Sequence, residues 1–189
     1  VLINTLVACI RQMFKKNDSV LVAAPTGAAA HIFGGQTIHR EFKIGIGKGK
    51  KWSISKKAKE YLHEKLEHTI AVFFDERSMI SQRVLGNTEM NIRHTAHGGG
   101  HENEDWGGIP VVVAFGDDYQ LPAPALGAIE SLVNQGKCKS SQNGAQQFIN
   151  LGKTTMELTK IMRQSEKEKP FLDLLFNMRF GHPREQDKD

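Results

Sequence analysis

Asp75 and Glu76 stand side by side directly behind four apolar residues, Ala71-Val72-Phe73-Phe74. An unbroken apolar run suits a strand buried on both faces of a parallel sheet. Ligands of such sheets sit outside the carboxyl ends of the strands, where these two acids would project. One carboxylate there can hold a hydrated magnesium ion, which takes few protein oxygens and keeps several waters. Its neighbour can orient a water for attack on a phosphate. Taken alone, the same pattern also describes a strand that merely ends in a polar turn.

Two further apolar runs end in chemistry-bearing residues. Val20 to Ala24 meets Pro25-Thr26-Gly27, and residues 109–115 meet Gly116-Asp117-Asp118-Tyr119-Gln120-Leu121-Pro122. Parallel strands deliver their carboxyl ends to one edge, so the intervening elements decide whether these groups meet. Helical spacing is expected over residues 1–14, with Leu2, Leu6, Cys9, Ile10 and Met13 on one stripe and Lys15-Lys16 at its end. Residues 28–33 read as a helix stopped by Gly34-Gly35. With the strand and turn before it, this geometry points backbone N–H groups at an anion. Residues 55–68 form a helix packing on Ala58, Leu62 and Leu66. Residues 80–96 form another, interrupted in pattern by Gly86. Residues 97–105 are a glycine-rich surface loop. Helices over 142–151 and 167–180 and a last strand over 155–158 complete the pattern. Strands alternating with helices give an α/β fold, a parallel sheet flanked by helices on both sides.

The 189 residues are 24% charged and 39% hydrophobic, which fits one globular domain with a full core. The net charge of +4 leans mildly toward polyanionic partners. Cys9 and Cys138 stand alone, which argues against a disulfide framework or zinc site and fits a reducing compartment. No run is long and apolar enough to span a membrane. Residues 2–10 are apolar but lack the basic lead-in and small-residue exit of a signal peptide. A first residue of Val1 and a polar last segment, 182–189, read as cuts in a longer protein.

Four segments, in order, resemble motifs Ia, II, III and IV of the PIF-type DNA helicases: AAPTGAAAHIFGGQTIH, FFDERSMI, FGDDYQLPA and LTKIMRQ. These are superfamily-one enzymes related to RecD and to the helicase half of Helitron transposons. The resemblance runs from Val1 through Gly181. It implies a RecA-like P-loop NTPase motor domain over 1–181, truncated, of an ATP-driven 5′ to 3′ translocase on single-stranded DNA. The tail 182–189 would lead to a second RecA-like domain of the same parent chain. The resemblance assigns magnesium to Asp75 and the attacking water to Glu76. Gln120 would sense the γ-phosphate, and Arg163 would set a guanidinium against the transferring phosphoryl group. Asp117 would join the nucleotide site, as a helper of the magnesium shell or as the cap of its own turn. Pro25, Thr26, Gly27, Thr37 and His39 would contact the DNA backbone, gripping without reading sequence. An intracellular protein is implied, nuclear or mitochondrial in a eukaryotic source.

Some positions depart from the family pattern. The chain contains no GxxGxGK[ST] loop, which cradles the β- and γ-phosphates. Arg40 replaces the serine usual after TIH, Arg77 a common aliphatic residue, and Ala123 a second proline. The missing loop leads to the expectation that the isolated chain does not hydrolyse ATP. A degenerate remnant that only binds single-stranded DNA is the alternative, and a RecD-like domain within a conjugative relaxase is a third reading. The lysines from Lys48 to Lys59 suit phosphate tracking, but such a run is more often a solvated face. Trp52 is equally open to base stacking or packing. His94, His97 and His101 lack the ordered carboxylate or thiol partners of a metal site.

Overall fold

Burial on both faces explains why the apolar runs at Val20–Ala24 and Ala71–Phe74 become neighbouring central strands of one sheet. In a computed structural model, which describes residues 1–45, 52–96, 101–123, 138–160 and 168–181, the strands are β1 (Val20–Ala24), β2 (Gln36–Thr37), β3 (Ala71–Phe74) and β4 (Val111–Ala114). They lie in the order β2-β1-β3-β4, all parallel, with Val20 opposite Ala71 and Ala71 opposite Val111. Successive strand residues point to opposite faces. Val20, Val22, Ala71 and Phe73 therefore pack one way, against Ile3, Leu6, Val7 and Ile10 of α1 (Leu2–Phe14). Leu21, Ala23, Val72 and Phe74 pack the other way, among Ile38, Phe42, Leu62, Leu66, Leu85, Ile92 and Trp106. Both faces are covered, so β1 and β3 carry no polar residue.

The expected helix at the start forms, but its buried stripe is Ile3-Leu6-Val7-Ile10. Leu2, Cys9 and Met13 are exposed. At about 100° per residue, positions 3, 6, 7 and 10 share a narrow arc that a stripe through 2, 9 and 13 misses. Downstream come α2 (Gly27–Ile32), α3 (Ile38–Glu41), α4 (Lys56–Leu66), α5 (Gln82–Arg93), α6 (Lys139–Gly152) and α7 (Lys169–Arg179). Serine hydroxyls cap α4 and α5: Ser55 Oγ accepts from Ala58 N at 3.2 Å and Ser81 Oγ from Val84 N at 3.3 Å. Leu62 and Leu66 of α4 are fully buried, while Lys56, Lys57 and Lys59 point to solvent.

Gly86, an interruption in the sequence pattern, is where α5 meets α6. A Cβ added there would lie 1.8 Å from Ser140 O, and one added at Gly144 would lie 1.8 Å from Gln82 O. The same junction buries a carboxylate. Glu89 accepts from Asn143 Nδ2 at 2.6 Å, the Arg93 guanidinium at 2.9 Å and Trp106 N at 3.2 Å. Three donors on three segments satisfy it, as a buried charge requires. Glu89→Gln turns an acceptor into an amide that meets these donors head-on. We expect a loss of about 1–2 kcal/mol, measured as a lower urea midpoint with an unchanged slope. An unchanged midpoint would discount the network.

Contacts divide the chain into Val1–Thr154 and Thr155–Asp189. In the second unit, residues 155–160 are exposed and form no strand, contrary to the expectation for 155–158. Alternating Met156 and Leu158 supply two strand faces, but a strand also needs a hydrogen-bonded neighbour, and none is found among the described residues. Helix α7 has Pro170 in its first turn, where a missing N–H costs nothing. No described helix is long and apolar enough to cross a membrane.

Candidate active site

Three strand exits are stitched together just beyond the sheet. Asp75 N donates to Ala23 O at 3.0 Å, Phe115 N to Phe74 O at 2.7 Å, and Arg77 N to Phe115 O at 2.9 Å. Asp75 and Glu76 thus leave β3 between the ends of β1 and β4. Both are half-buried. Among the described residues no hydrogen bond or ion pair engages either carboxylate. Glu76 also holds a left-handed backbone, φ 52° and ψ 49°, an arrangement that costs a non-glycine residue about 1 kcal/mol or more. The turn Arg77–Met79 follows at once, so this kink sets the direction in which the Glu76 side chain leaves the strand.

The segment after β4 is a tight turn. Asp117 Oδ1 accepts from Tyr119 N and Asp117 O accepts from Gln120 N, each at 3.1 Å. The Asp117 carboxylate thereby caps its own turn. Asp118 pairs with the Arg77 guanidinium. Gln120 and Leu121 beyond it are exposed, Leu121 at 75%.

The other half of the edge carries the residues expected at DNA. Ala24 and Thr37 are register partners, so Pro25-Thr26-Gly27 and Thr37-Ile38-His39 leave adjacent strands. Thr26 Oγ1 accepts from Ala29 N at 3.2 Å and caps α2, which has only six residues. That bond uses an oxygen lone pair and leaves the hydroxyl proton for another acceptor. Thr37 precedes α3, but its side chain makes no cap bond. His39 lies half-buried in α3. Pro25, Thr26, Gly27, Thr37 and His39 therefore gather at the β1–β2 end, and Asp75, Glu76, Asp117 and Gln120 at the β3–β4 end. Arg163 lies outside the described residues, as do Lys48, Lys50, Lys51 and His97.

Trp52 donates from Nε1 to Asn91 Oδ1 at 2.9 Å and stacks on His94 with ring centroids 4.8 Å apart, so it packs on α5 in this structure. His94 pairs with Glu102 and His101 with Glu104. No group of three or more His, Cys, Asp or Glu that could hold a metal occurs among the described residues. Magnesium does not require one, because it is commonly bound through one or two carboxylates and otherwise by waters and phosphates. An unpaired, half-buried Asp75 fits that need. Arg77, by contrast, gave no signal in the sequence beyond its departure from an aliphatic residue.

A PIF1-like helicase family model matches residues 1–189. The ATP-dependent DNA helicase RRM3 of Saccharomyces cerevisiae is 29% identical over 184 residues, covering 96% of this chain and 23% of that protein. The ATP-dependent DNA helicase PIF1 of Emericella nidulans is 30% identical over 184 residues, with 96% and 23% covered. Among solved structures, Bacteroides Pif1 bound to ssDNA matches with a TM-score of 0.63 and 27% identity, over 97% of this chain and 41% of that one. Pif1 helicase from Candida albicans matches at 0.68 and 25%, over 98% and 38%. The chain spans about a fifth of the length of the curated relatives. The parallel four-stranded sheet with flanking helices is consistent with a RecA-like domain, and the match over its whole length shows that the chain belongs to the PIF1-like helicase family.

Proposed function

We propose that this chain is part of the motor of an ATP-dependent DNA helicase that moves 5′ to 3′ on single-stranded DNA. The observation that carries the proposal is the pair of unpaired, half-buried carboxylates, Asp75 and Glu76, on the sheet edge that also presents Thr26 and Thr37. Asp75 would hold magnesium through its water shell, and the ion would supply charge neutralisation at the phosphoryl oxygens. Glu76, aimed by its kinked backbone, would accept a proton from the attacking water. Gln120 carries both an amide donor and a carbonyl acceptor on an exposed turn, which suits a sensor of the γ-phosphate. Arg163 would place its guanidinium against the transferring group. A second RecA-like domain of the parent protein would complete the site. Thr26 and Thr37 hydroxyls would donate to DNA phosphates, a contact that is independent of base identity. The site of action would be intracellular, in the nucleus or mitochondrion of a eukaryote.

The donors on this edge suit the metal end of a nucleoside triphosphate, and the phosphate cradle is not among the 189 residues. The isolated chain is therefore expected to bind single-stranded DNA without turning over ATP. Fluorescence anisotropy with a labelled oligonucleotide should show affinity that falls with salt, as counterion release requires. Thr37→Val removes a hydroxyl without removing a helix cap, and should weaken binding about tenfold on any sequence. DNA-stimulated ATP turnover by the 189 residues would overturn the expected inactivity. Absence of DNA binding at low salt would overturn the grip assigned to the β1–β2 end.

A further inference from the structure

Arg77 touches the turn after β4 at three positions. Its N–H donates to Phe115 O at 2.9 Å. Gly116 lies so close that an added Cβ would sit 2.7 Å from both Arg77 N and Arg77 Cγ. Its guanidinium pairs with Asp118 and lies 5.6 Å from the Phe148 ring centroid on α6. The residue before it is Glu76, and the turn it grips ends in Gln120. An aliphatic side chain could fill the same space, but it could not bind the Asp118 carboxylate. The Asp117 bonds to Tyr119 and Gln120 shape the turn locally and do not reach β3.

We propose that Arg77 is a positioning residue: through Asp118 it latches the 116–122 turn to the end of β3 and holds Gln120 in register with Glu76. The catalytic consequence rests on the motor reading above, whereas the latch itself does not. Arg77 is largely covered and Asp118 half-exposed, so the latch is electrostatic and open to salt. Pairs of this kind add little to global stability. Its loss therefore shows in the order of the turn and not in the melting temperature.

The test is amide hydrogen exchange at Tyr119 and Gln120 in the 189-residue chain without nucleotide. Arg77→Met and Asp118→Asn should each speed exchange at both amides about fivefold, the upper range for such a pair, with β3 amides unchanged. Arg77→Lys keeps the charge and should stay near the parent at low salt. Raising salt to about 1 M, where screening acts over roughly 3 Å, should speed exchange in the parent and leave Arg77→Met unaffected. Equal exchange in parent and Arg77→Met, or failure of Arg77→Lys to rescue, would overturn the latch. No nucleotide enters these measurements, so a failed motor reading would leave their outcome standing.

Discussion

Glu76→Gln is expected to lower ATP turnover about 100- to 10,000-fold, the range for loss of a positioned general base, in a full-length protein that joins this chain to a phosphate-binding loop. KM for ATP should stay about the same, because in the proposed role the carboxylate would act on the attacking water and contribute only in the transition state. The structure gives the reason to expect so large an effect from one atom exchanged. Glu76 is half-buried, takes a left-handed backbone at φ 52°, and its carboxylate has no partner among the described residues. A carboxylate held in a costly conformation and left unpaired is serving something other than local stability. Asp75→Asn should act differently. It weakens the assigned magnesium ligand, so raising magnesium should recover part of the lost turnover, whereas no concentration should rescue Glu76→Gln. Steady-state kinetics across a magnesium series separates the two. Equal rescue of both variants would remove the division of labour assigned to these acids.

Much of this arrangement was legible before any coordinates. The runs β1 and β3 are buried on both faces, so every residue in them had to be apolar and the pattern was unmistakable. Their shared direction followed from the helices between them, and with it the gathering of Thr26, Asp75 and Asp117 at one edge. Strand β2 was not legible as a strand: Gln36-Thr37 is two residues long, half-buried and polar, and pairs only because Gly35 lets the chain approach β1 closely. Helix α6 starts at Lys139, earlier than the apolar pattern suggests, because Ser140, Gly144 and Gln147 form much of its buried face. The Arg77–Asp118 pair joins residues 41 apart, and no single sequence announces a partnership at that distance. Residues 155–158 failed in the opposite direction, since alternation describes the two faces of a strand and says nothing of its edges.

Gly86→Ala sets two physical effects against each other, and the structure decides the sign. Inside a helix, alanine is favoured over glycine by about 1 kcal/mol, so helix propensity alone predicts a more stable protein. The α5–α6 contact predicts the reverse. A Cβ at Gly86 would stand 1.8 Å from Ser140 O and 2.7 Å from Gly144 N, and both are backbone atoms with no rotamer to escape into. The helices must separate, and this loosens the bond that Asn143 of α6 donates to Glu89 of α5. Overpacking of this kind costs about 1–3 kcal/mol and occasionally more; with backbone on both sides we expect a net loss of about 3 kcal/mol. For a domain of this size that is a drop of roughly 6–12 °C in Tm. Gly144→Ala meets Gln82 O at 1.8 Å and should cost a similar amount. The double variant should lose much less than the sum, because helices already separated by one Cβ leave room for the other. Thermal unfolding of the three variants reads all of this directly. A gain in Tm for Gly86→Ala would mean that the two helices do not touch backbone to backbone, and that the buried carboxylate between them needs another explanation.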